Sequence, residues 1–78
     1  MDSCFEENID FKGHDIENER HEDIENPQAC QTLCLNNNNC TFWTFKVTGG
    51  HCWLKSSDSG REPLTGLTSG PKMCSKLN

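Results

Sequence analysis

The stretch PQACQTLCLNNNNCTFWTFKVTGGHCWLK, residues 27–55, decides the fold of this chain. It holds four of the six cysteines, and the other two, Cys4 and Cys74, lie near the two ends of the 78-residue sequence. An even number of cysteines in so short a chain indicates a disulfide framework formed in an oxidising compartment. Domains of this kind usually present a stapled surface to a partner and rarely catalyse reactions.

The composition explains why such cross-links are needed. The 78 residues are enough for one domain, and only 32% of them are hydrophobic. A core of this size supplies only about 3–5 kcal/mol of stability, so a small domain needs additional staples. We therefore predict a single domain over residues 1–78 that unfolds when its disulfides are reduced.

The stretch opens with a helix signal. Asn26 is a good N-cap, and Pro27 suits the first helical position. The pattern predicts a helix over residues 28–35, which the asparagine run at residues 36–39 ends because Asn tolerates a left-handed C-cap. One face of this helix carries Cys30, Leu33 and Cys34.

The second half of the stretch predicts two strands. Residues 40–47 are rich in β-branched and aromatic side chains, which favours a central strand. A turn containing two consecutive glycines follows, and residues 51–55 return as the next strand. Because side chains alternate along a strand, Trp43 and Phe42 are expected on opposite faces.

The flanking sequence gives weaker signals. Residues 5–11 predict a short strand, and residues 12–15 predict a turn. Residues 16–24 are highly polar and predict an exposed edge strand or a loop. A polar loop is predicted at residues 56–60, and a last short strand at residues 72–74.

The charge is strongly uneven along the chain. The net charge is −5, and residues 1–26 hold ten of the twelve acidic residues and two basic ones, which gives −8. This balance argues against nucleic acid and anionic membranes as partners, because both require basic surfaces. The acidic segment is either a solvated surface or a docking face for a basic partner.

Targeting signals do not stand out in the sequence. No apolar run approaches the roughly 18 residues of a membrane helix, so membrane insertion is not expected. The first residues lack the basic and apolar regions of a signal peptide. We therefore expect a fragment of a longer secreted protein.

Neither catalysis nor a cofactor is expected. His21 and Glu22 begin a zinc-protease pattern but lack its second histidine. Cys30 and Cys34 with a histidine are an alternative zinc site, although the Cys-x2-Cys spacing of zinc knuckles is absent. The acidic residues lack the spacing of a calcium loop. The sequence therefore predicts neither a catalytic residue, a cofactor nor a metal.

The motifs together resemble a known family. A helix carrying Cys30-x3-Cys34, then Cys40, then the aromatic strand 42–45 and the segment 52–55, is similar to the PAN/apple domain. The opening cysteine and the closing segment 65–74 fit the same family, so the match spans nearly the whole chain. It is most like the tandem apple modules of apicomplexan microneme adhesive proteins, and more distantly like the apple domains of plasma prekallikrein and coagulation factor XI.

The resemblance implies an α+β fold in which an antiparallel sheet cradles one helix, stapled by three disulfides. Six cysteines allow fifteen pairings, and the sequence alone does not choose among them. The family pattern implies the pairs Cys4–Cys74, Cys30–Cys52 and Cys34–Cys40.

The function that the resemblance implies is adhesion. The chain is expected to be a secreted, extracellular module, held in a tandem array and routed to the microneme organelle, that binds a sibling adhesin or a host surface protein. Binding of a galactose-type host glycan is the alternative, with His51, Trp53 and Lys55 as candidate ligand-binding residues. Protease inhibition through a rigid loop at residues 56–63 is a third possibility. The isolated module is expected to be monomeric.

Overall fold

A computed structural model describes residues 5–16 and 20–73 of the chain. The strands in these residues form one antiparallel sheet in the order β1-β4-β2-β3, and one helix accompanies it. This small α+β arrangement agrees with the predicted fold class. The elements are β1 (Glu6–Phe11), α1 (Pro27–Leu35), β2 (Phe42–Lys46), β3 (His51–Lys55) and β4 (Arg61–Pro71).

Helix α1 begins where the sequence predicts. The Asn26 side chain accepts a hydrogen bond from the Ala29 backbone N–H at 2.8 Å, and Pro27 occupies the first turn. The helix ends after Leu35, as expected. Asn36 closes it with φ −88°, however, so the left-handed C-cap that we expected is not formed. The Asn36 N–H instead bonds back to the carbonyls of Thr32 and Cys34 in the final turn.

Two disulfides tie α1 to the sheet. Cys30 is bonded to Cys52 in β3, and Cys34 is bonded to Cys40 just before β2. All four cysteines are fully buried. These are two of the three pairs that the family resemblance implies; the third, Cys4–Cys74, lies outside the described residues. Trp43, Phe45 and Leu54 complete this core.

Strand β2 is the central strand, as predicted, because β4 and β3 flank it. It is covered on both faces: Trp43 and Thr44 are each fully buried. The Trp43 indole N–H donates to the Pro71 carbonyl at 2.8 Å. On the opposite face the Thr44 hydroxyl lies 2.7 Å from that of Ser69, which donates to the Ile9 carbonyl.

The last strand predicted at residues 72–74 does not form at residues 72 and 73, and residue 74 lies outside the described residues. Strand β4 runs over Arg61–Pro71. Just after it, the Lys72 N–H donates a hydrogen bond to the Thr41 carbonyl at 2.8 Å. The sequence did not predict β4 because Pro63, Gly66 and Gly70 are residue types typical of turns. Its extended conformation is imposed by β1 on one side and β2 on the other.

The outer edge of β3 is covered by the segment that we call the strap, residues 12–16 and 20–24. Backbone N–H groups of Ile16, His21 and Ile24 donate to carbonyls of residues 54, 52 and 50 at 2.9–3.0 Å. In these residues only isolated bridges form, so the strap is an extended loop and not a continuous edge strand. It blocks pairing of β3 with another chain.

Candidate functional site

The candidate site is a cleft on the face of the sheet opposite α1. Cys52 and Leu54 of β3 are part of the core beside the helix, so Trp53 and Lys55 point to the other face. The cleft has a volume of about 390 Å³. It is lined by Asp10, Gly13, Asp15, Lys46, Trp53, Lys55, Leu64, Thr65 and Leu67.

Trp53 forms the aromatic part of the cleft wall. Its backbone pairs with Thr44 of the central strand, and its side chain is half-buried. The His51 ring meets it edge-on, with the ring centroids 5.7 Å apart. A rigid sheet and a neighbouring ring therefore hold one face of an indole at the surface. Such an arrangement suits either a sugar ring or an apolar anchor of a protein.

Lys55 closes one end of the cleft and is itself nearly buried, with 4% of the residue exposed. Its ammonium donates to the Gly13 carbonyl at 3.1 Å and to Asp15 Oδ1 at 2.5 Å. Both acceptors belong to the strap. The ammonium of Lys55 is thus already bonded to the strap. At this end of the cleft a ligand would meet the Lys55–Asp15 ion pair, which has no net charge.

Asp10 contributes a carboxylate of a different kind. Burial raises the pKa of the Asp10 carboxyl above its ordinary value of 3.8, and the positive charge of Lys55 opposes that rise. Within residues 5–16 and 20–73, the carboxylate accepts no hydrogen bond. A partly desolvated acceptor without a donor favours a ligand that supplies a cation or a hydroxyl group.

Lys46 marks the other end of the cleft. It pairs across the hairpin with His51, so its side chain shares the face of Trp53. Lys46 is exposed and forms no ion pair with any residue of the described ranges. This end of the cleft therefore presents an uncompensated positive charge.

The wall facing Trp53 is a bulge in β4. The ladder with β1 passes from the pair Glu7–Thr68 to the pair Ile9–Pro63, so four residues of β4 oppose Asn8 alone. The Asn8 side chain accepts a hydrogen bond from the Gly66 N–H at 3.1 Å and so fixes the bulge. Leu64, with 47% of its surface exposed, and Thr65 project from it to line the cleft.

The three candidate residues named from the sequence lie together. Trp53 and Lys55 line the cleft, and His51 packs against Trp53 without lining it. Their role in binding stays a prediction. Asp10 and Lys46 were not among the candidate ligand-binding residues named from the sequence. The turn at residues 47–50 could have indicated Lys46. It pairs residue 46 with residue 51 and so places the Lys46 side chain on the same face as Trp53.

Other sequence hypotheses can be placed on the fold. Every cysteine in residues 5–16 and 20–73 is in a disulfide, so Cys30 and Cys34 cannot bind zinc as thiolates. No three His, Cys, Asp or Glu side chains of those residues are grouped to hold a metal ion. The proposed inhibitory loop is shorter than expected, because residues 61–63 are paired within the sheet. No helix in the described part of the chain could span a membrane.

Comparison with known proteins identifies a family and a solved structure to which this chain is similar. A family model described as the PAN domain matches residues 9–55. The solution structure of a PAN module from Eimeria tenella is 29% identical in sequence and superposes with a TM-score of 0.65. That match covers 97% of this chain and 86% of the Eimeria module.

Proposed function

This chain belongs to the PAN domain family, and on that premise we propose that it is an extracellular adhesion module that binds a protein partner through the cleft beside Trp53. PAN modules are binding modules in general. The observation that carries the proposal is a half-buried tryptophan held in an open cleft by a sheet, a strap and two disulfides. Aromatic anchors in preorganised pockets dominate the energy of many protein interfaces.

The proposal extends to the protein that contains the module. We place residues 1–78 as one PAN/apple domain of a secreted, microneme-type adhesin that repeats such modules and takes part in host-cell attachment. The similarity to the Eimeria tenella module and the buried disulfides support this placement. Tandem repetition would raise the overall affinity although each copy binds weakly.

Catalysis forms no part of this proposal. The cysteines of the described residues are bonded to one another, which removes the thiolate nucleophile. The cleft carboxylates lie beside lysines and an indole, an arrangement suited to recognition. We propose that the module is not an enzyme and that it is monomeric in isolation.

A second candidate function is binding of a galactose-type sugar in the same cleft. Trp53 offers a stacking face, and the Asp10 carboxylate offers acceptor oxygens for hydroxyl groups. Sugar sites combine an aromatic face with fixed polar groups of this kind. The exposed Thr65 hydroxyl adds one more polar group to the wall.

The test is a titration of the isotopically labelled oxidised module with sibling adhesin modules, host surface proteins and galactosides, followed by NMR. We expect a protein partner to shift the signals of cleft residues, and Trp53→Ala to abolish that binding. Leu35→Ala is the matched control, because Leu35 is exposed on α1 at the opposite face. Partner binding that survives Trp53→Ala would overturn the cleft as the site, whatever the effect of Leu35→Ala. Shifts caused by galactosides alone would favour the second candidate.

A further inference from the structure

The charges that line the cleft fall into two groups. Lys55 and Asp15 neutralise each other, and the Gly13 carbonyl takes a second hydrogen bond from the same ammonium. Asp10 and Lys46 have no such partner among residues 5–16 and 20–73. The cleft therefore offers a ligand one carboxylate and one ammonium, both still available for pairing.

These two groups lie toward opposite ends of the cleft. Lys46 pairs with His51 at the hairpin end of β3. Asp10 lies toward the other end: the ring of Phe11, the next residue in β1, is 5.6 Å from that of Phe42, which pairs with Lys55. His51 and Lys55 are separated by four residues of strand, which is roughly 13 Å. The cleft is accordingly acidic at one end and basic at the other.

Trp53 lies between the two ends. It is two residues from His51 and two from Lys55 on the same face of β3. An indole at this place packs against an aliphatic chain and attracts a cation that approaches its face. Leu64 and Leu67 add apolar surface to the lining.

We propose that the cleft recognises a dipolar group of a partner polypeptide, namely a C-terminal lysine. The ε-ammonium pairs with the Asp10 carboxylate, the aliphatic chain packs on Trp53, and the terminal carboxylate pairs with the Lys46 ammonium. This inference rests on the proposed function, since it names the ligand of the same cleft.

Other ligands are less well matched to this pattern. A neutral sugar would leave the Lys46 ammonium without a counter-charge, and an acidic sugar would meet the Asp10 carboxylate as a like charge. An internal lysine side chain would satisfy Asp10 alone. Only a ligand with both charges at the ends of an apolar chain uses the whole lining.

The experiment uses the oxidised full chain and Nα-acetyl-lysine, which copies a C-terminal lysine. Two analogues serve as matched probes: Nα-acetyl-lysine amide lacks the carboxylate, and Nα-acetyl-norleucine lacks the ammonium. We expect Nα-acetyl-lysine to shift the Trp53 indole signal, and each analogue to bind about tenfold more weakly because one ion pair is lost.

Variants separate the two ends of the cleft. Asp10→Asn and Lys46→Gln should each weaken binding of Nα-acetyl-lysine by about tenfold. Glu25→Gln and Lys72→Gln are matched controls outside the cleft. They should leave the affinity for Nα-acetyl-lysine unchanged. Thermal melts of all four variants show that each is folded.

The inference is overturned if both analogues bind as well as Nα-acetyl-lysine, if Asp10→Asn and Lys46→Gln leave its affinity unchanged, or if it shifts no cleft signal. When that happens while a protein partner still binds in a Trp53-dependent way, only this inference fails. When no partner depends on Trp53, the proposed function fails as well.

Discussion

The ammonium of Lys55 lies 2.5 Å from Oδ1 of Asp15, and this pair joins β3 to the strap. The two side chains differ in environment, with 5% of the lysine and 44% of the aspartate exposed. The cation is therefore the buried partner, and its acceptors among the described residues are the Gly13 carbonyl and the Asp15 carboxylate. The strap is held by this cation as well as by its backbone hydrogen bonds.

Asp15→Ala should destabilise the oxidised module by about 1–3 kcal/mol, because it leaves the buried Lys55 ammonium without its counter-charge. Lys55→Met should cost less, since an apolar chain of similar length fills the same space without an unpaired charge. Urea unfolding at neutral pH measures both. Glu22→Ala removes the exposed pair with Arg20 and should change stability by less than about 0.5 kcal/mol. Equal losses for Asp15→Ala and Glu22→Ala would contradict the importance of the buried pair.

Asp10 gives a prediction about pH. Burial raises its pKa in the folded state above 3.8, so the ionised carboxylate is disfavoured by folding. The stability linked to this group is complete below its unfolded pKa and is lost as the pH rises through its folded pKa. Asp10→Asn should therefore raise the melting temperature at neutral pH.

The difference in melting temperature between Asp10→Asn and the wild type should shrink on acidification. It should vanish at about pH 2.5, where Asp10 is protonated in both the folded and the unfolded state. Thermal melts of the two proteins across this range provide the measurement. Glu25→Gln, an exposed carboxyl outside the cleft, serves as the control for a general change in net charge. An advantage that grows as the pH falls would refute the assignment.

The helix and the central strands could be predicted because their signals are local. Asn26 and Pro27 mark the start of α1, and the aromatic run of β2 suffices to identify a buried strand. Strand β4 could not be predicted in this way. Pro63 and Gly66 weaken its intrinsic preference for a strand, and β1 and β2, distant in sequence, supply the partners that fix it.

The same distinction applies to the cleft. Alternation along β3 places Trp53 and Lys55 on one face, and both line the cleft. Asp10 comes from β1, more than forty residues earlier in the chain, so only the sheet order brings it to this face. The burial of Lys55 was equally hidden, because it depends on the strap. A local pattern thus identifies which side chains share a strand face, while the charges that oppose them depend on the fold.

Gly70 is required by the ring of Trp43. A Cβ at position 70 would lie 2.7 Å from Trp43 Cζ2 and 3.3 Å from a ring carbon of Phe5. Gly70→Ala should therefore destabilise the module by about 1–3 kcal/mol through overpacking. Thermal and urea unfolding of the oxidised protein measure the loss.

Gly66→Ala is the control for Gly70→Ala, because it adds backbone strain without a steric clash. Gly66 has φ +92°, and a methyl group added there would meet no atom within 4 Å, so alanine costs only backbone strain, about 1 kcal/mol. In a Trp43→Phe background, Gly70→Ala should cost less than it does in the wild type, because the smaller ring makes room. The cost of Gly66→Ala should be the same in both backgrounds. A cost that falls equally at both positions would show that the effect at Gly70 is not a contact with Trp43.

Cys4 and Cys74 are expected to form the third disulfide, which the family pattern implies. The bond would close a loop of about 70 residues and contribute roughly 4 kcal/mol on the chain-entropy view, more than the roughly 3 kcal/mol expected for Cys30–Cys52. The unreduced protein should show the loss of about six hydrogens by mass, two for each of three bonds. Proteolysis without reduction should release a peptide pair joining residues 4 and 74. Replacing both by alanine should lower the melting temperature while leaving the other two bonds intact. Free thiols at these two positions in the native protein would contradict the pairing.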